Sequence, residues 1–250
     1  MAMPLSLLAM QVALPQDTNA NLTIVLRWIH FVAGITWIGL LYFFNLVNMG
    51  FLKSLDAGTR ARVYGPLMSR ALWWFRWGSV VTVLAGFGYW NIIVAADAHN
   101  ASASGGRAIG SFLVIWTAAF LVEMAVMMSP AEGLRKGPVL GGIVGIVVAM
   151  AAWTFVRLNT HGWESNRLLS IGIGGGIGWF MMFNVWGLIW RMQKRMMGWM
   201  EQNAANGTPL PEQAARFARL TMLTSRVNFV LSFPMLFFMG AASHYPMFGG

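Results

Sequence analysis

One short segment holds most of what could do chemistry in this chain. RWIHFVAGITWIGLLYFFN, Arg27 to Asn45, sets an arginine, a histidine and an asparagine into apolar, tryptophan-bearing sequence. At about 100° per residue, Arg27, His30, Gly34, Trp37, Leu41, Asn45 and Asn48 share one helical sector roughly 80° wide. Ile, Leu, Val and Phe occupy the other faces. An ionisable group facing lipid costs several kcal/mol, so the polar sector is expected to turn into a helix bundle. The residue types leave two uses open for His30: a hydrogen bond to a neighbouring helix, or ligation of a haem iron or another metal. Trp37 and Asn45 lie on the same face.

The elements that must position these groups follow from composition. Hydrophobic residues make up 57% of the 250-residue chain and charged residues 10%, with a mean hydropathy of +0.60. A soluble domain carries about 25% charged residues. The apolar residues fall into six runs, about 23–49, 71–96, 108–129, 138–158, 168–192 and 221–243, each near the ~20 residues that cross a bilayer. The expected fold is all-α: a polytopic transmembrane helix bundle forming one domain over 23–250. MAMPLSLLAMQVALP is apolar but short and lacks the basic start of a signal peptide, so residues 1–22 are expected to form a retained interfacial lead-in. Three loops concentrate the basic residues: Lys53, Arg60, Arg62 and Arg70; then Arg135 and Lys136; then Arg191, Lys194, Arg195, Arg216 and Arg219. The opposite side has Arg27, Arg107, Arg157 and Arg167. By the positive-inside rule the basic loops, including a long one at about 193–220, are cytoplasmic and both termini lie outside. A net charge of +9 is then explained by anionic lipid rather than nucleic acid. GGIVGIVVA and GIGGGIG in spans four and five are expected to let helices approach closely; neither has the spacing or setting of a phosphate loop.

Within that topology all four histidines belong to the outer half: His30 in span one, His99 and His161 in loops, His244 at the end of span six. With no cysteine in the chain, thiolate metal sites and covalent haem attachment are excluded, and imidazole is the main axial haem ligand left. A b-type haem between His30 and His244, His161 or His99 is geometrically possible, His99 reading best as interfacial. Ser225, Asn228, Ser232, Met239 and Ser243 form a matching stripe on span six around Pro234. Glu123 is the one acid deep within a span. It is expected to be neutral or paired with Arg76, or to serve a proton relay.

RWIHFVAGITWIGLLYFFN and NFVLSFPMLFFMGAASHYP together resemble the membrane domain of bacterial cytochrome-c-coupled urate oxidases. The first more loosely resembles the haem-binding membrane protoporphyrinogen oxidases. The likeness to the urate oxidase domain runs through nearly the whole chain. It implies a bacterial inner-membrane location, a redox setting and a reaction of the urate oxidase type, with electrons passed to a cytochrome c. By motif position it carries over His30, Trp37, Asn45 and His244 as candidate functional residues, haem ligands or substrate contacts, with Trp37 and Asn45 the catalytic candidates. Those oxidases carry a cytochrome c domain, whereas this sequence has no C-x-x-C-H, so the acceptor would be a separate protein. Two functions are therefore expected in competition: an oxidoreductase, or a non-catalytic accessory subunit of a larger membrane electron-transfer complex.

Overall fold

A computed structural model describes residues 15–248; residues 1–14 of the expected lead-in lie outside the described residues. Every regular element among those described is helical, and six helices are long and apolar enough to cross a membrane. Long apolar segments in lipid have only this solution or a closed barrel, since each backbone N–H and C=O must be satisfied internally.

The first span starts earlier than hydropathy indicates. Asp17 caps helix α1 (Thr18–Tyr42) by accepting from the backbone N–H groups of Asn19 and Ala20 at 3.0 and 3.2 Å, so polar residues 18–22 are already helical. The chain continues through a π-helical segment, Phe43–Asn48, into α2 (Met49–Ser54). Asp56 then caps α3 (Ala57–Asn100) through the Thr59 N–H at 3.0 Å. The stretch 50–70, expected as a loop, is therefore helical except around 55–56. At 1.5 Å per residue α3 is about 66 Å long, over twice the hydrocarbon thickness of about 30 Å.

Helices α4 (Gly106–Met128), α5 (Gly137–Leu158) and α6 (Asn166–Phe183) follow, with a 3-10 turn at Glu132–Arg135. Pro138 sits in the first turn of α5, where its missing N–H costs nothing. Ser165 caps α6 through the Leu168 N–H at 3.1 Å. A second π-helical segment, Asn184–Ile189, joins α6 to α7 (Trp190–Asn206), which ends on Gly207 in the left-handed region at φ 74°. The amphipathic extension of span five thus takes most of the long basic loop, and α8 (Gln213–His244) begins just after the NGTPLPE break.

Helix α6 is the hub. Some 83% of an apolar 18-residue stretch of its span is buried inside the bundle, against 11% for the corresponding stretch of the first span. Helices α1, α3, α6 and α8 form a ring, α1 on α3, α3 on α6 and α6 on α8, with α4 and α5 packed behind α6. The glycines of GIGGGIG make the hub possible. A Cβ at Gly174 would lie 3.1 Å from the Met235 carbonyl oxygen on α8, and one at Gly176 would overlap the Trp116 indole. The glycines of α5 do not do this. Gly141, Gly142 and Gly145 are exposed with nothing near them, because α5 packs through Leu140, Val144, Val148, Ala151 and Phe155 on its other face.

Candidate functional site: a cleft between the first and last helices

The ring is not closed along its whole length. Helices α1 and α8 run antiparallel. They are tied toward the end where α2 begins: Asn45 donates to Ser225 Oγ at 2.9 Å, and the hydroxyls of Ser232 and Tyr42 bond at 3.1 Å. The Tyr42 ring packs edge-on against Phe229 at 5.2 Å. Beyond this seam, toward the end where α1 begins and α8 finishes, a cavity of about 850 Å³ opens. That volume lies within the range of small-molecule and cofactor sites. Pro234 stands two residues past Ser232, where it removes the bond its N–H would make to the Val230 carbonyl and relieves α8 of a straight course.

His30 and His244 both line this cleft, as do Arg27 and Trp37. Each histidine lies twelve residues beyond the Tyr42–Ser232 bond on its own helix, so both belong to the open end of the cleft. His30 is held from α3. Its Nδ1 lies 2.7 Å from the Thr82 carbonyl oxygen, which can only accept, so Nδ1 carries the proton and Nε2 keeps its lone pair. Gly86, one turn on from Thr82, leaves space for the ring: a Cβ there would be 2.6 Å from Nδ1. An imidazole oriented through one nitrogen with the other free is the form in which histidine ligates metals. His244 is exposed and ends α8. Asn166, at the start of α6, secures the chain around it. Its Nδ2 donates to the carbonyls of Ala242 and Tyr245 at 3.2 Å each, and its Oδ1 accepts from Met247 and Phe248.

Trp37 is buried against the cleft and its indole N–H has no partner. Asn45 is part of the seam rather than the cleft; it sits in the first π-helical segment, its amide committed to Ser225 and to the Leu41 carbonyl. His161 lines no part of the cleft. Its Nδ1 donates to Glu164 Oε1 at 2.7 Å and its Nε2 faces Arg107 at 2.9 Å, so both ring nitrogens are engaged. Burial by itself would raise the Glu164 carboxyl; the bonds from the His161 ring and backbone outweigh it and hold the group below the ordinary glutamate range. His99 is exposed near the end of α3.

Glu123 also lies away from the cleft. It is 1% exposed, and neither carboxyl oxygen has a hydrogen-bond partner. Arg76 does not pair with it. At that level α3 packs on the second π-helical segment and α7, and the Arg76 guanidinium stacks 3.7 Å from the Trp190 ring centroid and 5.3 Å from Trp186. Close by in sequence, Asn184 donates to Asn228 Oδ1 at 2.9 Å and Asn228 donates to the Met181 carbonyl at 3.0 Å. The π-helical geometry of 184–189 thus coincides with a buried amide pair.

Sequence reasoning missed Thr82, Gly86, Tyr89 and Asn166. The first two had a signal: Gly78, Thr82 and Gly86 recur every four residues, a small-residue face on which α1 can lie. Among the described residues no three His, Asp or Glu gather as a metal-binding group. Comparison with family models, curated proteins and solved structures finds no match to this chain.

Proposed function

We propose that this chain is a redox protein of a bacterial inner membrane that holds a b-type haem in the α1/α8 cleft between His30 and His244. The observation that carries this reading is that two histidines from different helices line one cleft, one with its proton fixed on Nδ1 by the Thr82 carbonyl. The residues fit the group. The cleft is large enough and mostly apolar, with Trp90, Phe112, Gly175 and Gly178 among its walls, and Arg27 stands at its rim. A haem held there would supply one-electron transfer. The protein's own part is to present the His30 lone pair, exclude water with Trp37 and Tyr42 at the cleft floor, and place a cation near the mouth.

The cleft mouth faces outward in this reading, with both termini outside. Support comes from the eleven cations at the α2, α5 and α7 ends against four at the cleft end. The resemblance to the urate oxidase membrane domain makes urate the substrate to test and a separate cytochrome c the acceptor. The first experiment is a reduced-minus-oxidised visible spectrum of the protein purified in mild detergent, with His30→Ala, His244→Ala and His161→Ala beside it. A b-type signal lost in the first two and kept in the third is expected. A folded wild-type protein with no haem signal, or a signal that needs only His161, would overturn the reading.

A further inference from the structure

Arg27 and Tyr89 line the cleft, and Arg167 at the start of α6 reaches the same tyrosine. The Arg27 Cζ lies 5.7 Å from the Tyr89 ring centroid and the Arg167 Cζ 5.4 Å from it, and an Arg167 Nη2 also donates to the Tyr89 hydroxyl. Like charges brought to one ring repel, and among the described residues no acid forms an ion pair with either of them. The acids at this end are Asp17, Asp97 and Glu164, and each is committed elsewhere. Asp17 caps α1, Asp97 accepts from Ser165 Oγ at 2.6 Å and from its N–H, and Glu164 holds His161. The Arg167 Nε is buried with no partner at all.

We propose that Arg27, Tyr89 and Arg167 form an anion site at the cleft rim, and that its ligand is a planar organic anion. The charged edge of that ligand rests on the two guanidiniums and its apolar body lies in the cleft. This deepens the reading of the cleft as a ligand site and does not depend on histidine ligation. Guanidinium groups present paired donors that match a carboxylate or an enolate edge. The Tyr89 hydroxyl, having accepted from Arg167, still has its own proton to donate. Below the rim the walls carry aromatic rings and glycines, which favour a flat body over a branched one.

Two sources could supply this chemistry: the carboxylates of a tetrapyrrole, or a small free anion such as urate. The test uses the whole protein in lipid nanodiscs with three probes: metal-free protoporphyrin IX, its dimethyl ester, and urate. Without iron, none of them needs His30 or His244. Binding is followed by fluorescence for the porphyrins and by equilibrium dialysis for urate, in wild type, Arg27→Gln, Arg167→Gln and the double variant. Thermal transitions matched to wild type verify the fold. Each substitution is expected to weaken the anion that belongs to the site about tenfold, the scale of one charge-assisted hydrogen bond, and to leave the dimethyl ester unchanged. Arginine-dependent binding of protoporphyrin identifies the tetrapyrrole source, and dependence confined to urate identifies the free anion. The proposal is overturned if the double variant binds both anions as wild type does, or if wild type binds neither. His30→Ala separates the two readings: it abolishes the haem spectrum if the ligation reading holds, and leaves metal-free anion binding intact if the rim site does.

Discussion

The support of His30 from α3 can be tested by one methyl group. In Gly86→Ala the new Cβ would lie 2.6 Å from His30 Nδ1 and 2.7 Å from Cε1, closer than any side chain tolerates, so the ring must swing away from Thr82. Losing that hydrogen bond costs about 1–1.5 kcal/mol, and forcing a methyl into a filled contact costs about 1–3 kcal/mol. Alanine recovers close to 1 kcal/mol of helix propensity. The net is a destabilisation of about 1–3.5 kcal/mol. Gly145→Ala is the matched control: it lies in a helix with nothing within 4 Å, and is expected to be neutral or to stabilise by up to about 1 kcal/mol. The assay is reversible unfolding in mixed micelles, followed by far-UV circular dichroism. If Gly86→Ala proves as stable as Gly145→Ala, His30 is not seated between Thr82 and Gly86, and the argument for its free Nε2 falls with it.

Two other expectations concern the loops and the buried amides. Because Glu164 titrates below its unfolded value when folded, it contributes stability that is complete above about pH 4.3 and fades as pH falls through the lower folded value. Glu164→Gln should therefore flatten the acid limb of a stability profile and leave its neutral region parallel to wild type; an unaltered acid limb would show that the His161 bonds do not matter. Asn228→Ala removes two interhelical hydrogen bonds, each worth about 0.6 kcal/mol on average in a membrane interior. A loss of about 1–3 kcal/mol in the same unfolding assay is expected once the orphaned Asn184 amide is included; no loss would mean that water or another side chain replaces the pair.

The six helices were legible because apolar length is a property of the segment alone. So was the inward face of α1 and the π-helical segment after it, where Trp37, Leu41 and Asn48 are buried. The helix ends were not, since caps such as Asp17 and Asp56 extend helices through polar residues that hydropathy reads as loop. Pairings were legible only in part. Arg76 and Glu123 lie at compatible depths, yet depth says nothing about azimuth, and the arginine found the Trp190 face instead. His161 lies at the same end of the bundle as His30 but is captured by Glu164 only three residues away. The glycines of α5 and α6 look alike in sequence and differ in the structure, because the neighbour decides whether a missing side chain is filled. Neither π-helical segment had a local signature, and both coincide with asparagines whose partners lie on α8.

The cleft has walls made by the first and last helices of the described chain, and this gives it a history as well as a shape. At about 5–20 residues per second, His244 is synthesised roughly 10–40 s after His30. Throughout that interval α1 has no α8 beside it, and the floor formed by the Tyr42–Ser232 bond does not exist. A ligand gripped from both walls would therefore be taken up only once α8 is made and inserted. On the proposed reading, loading would follow that step, and protein made faster than its ligand would accumulate folded with the cleft unfilled.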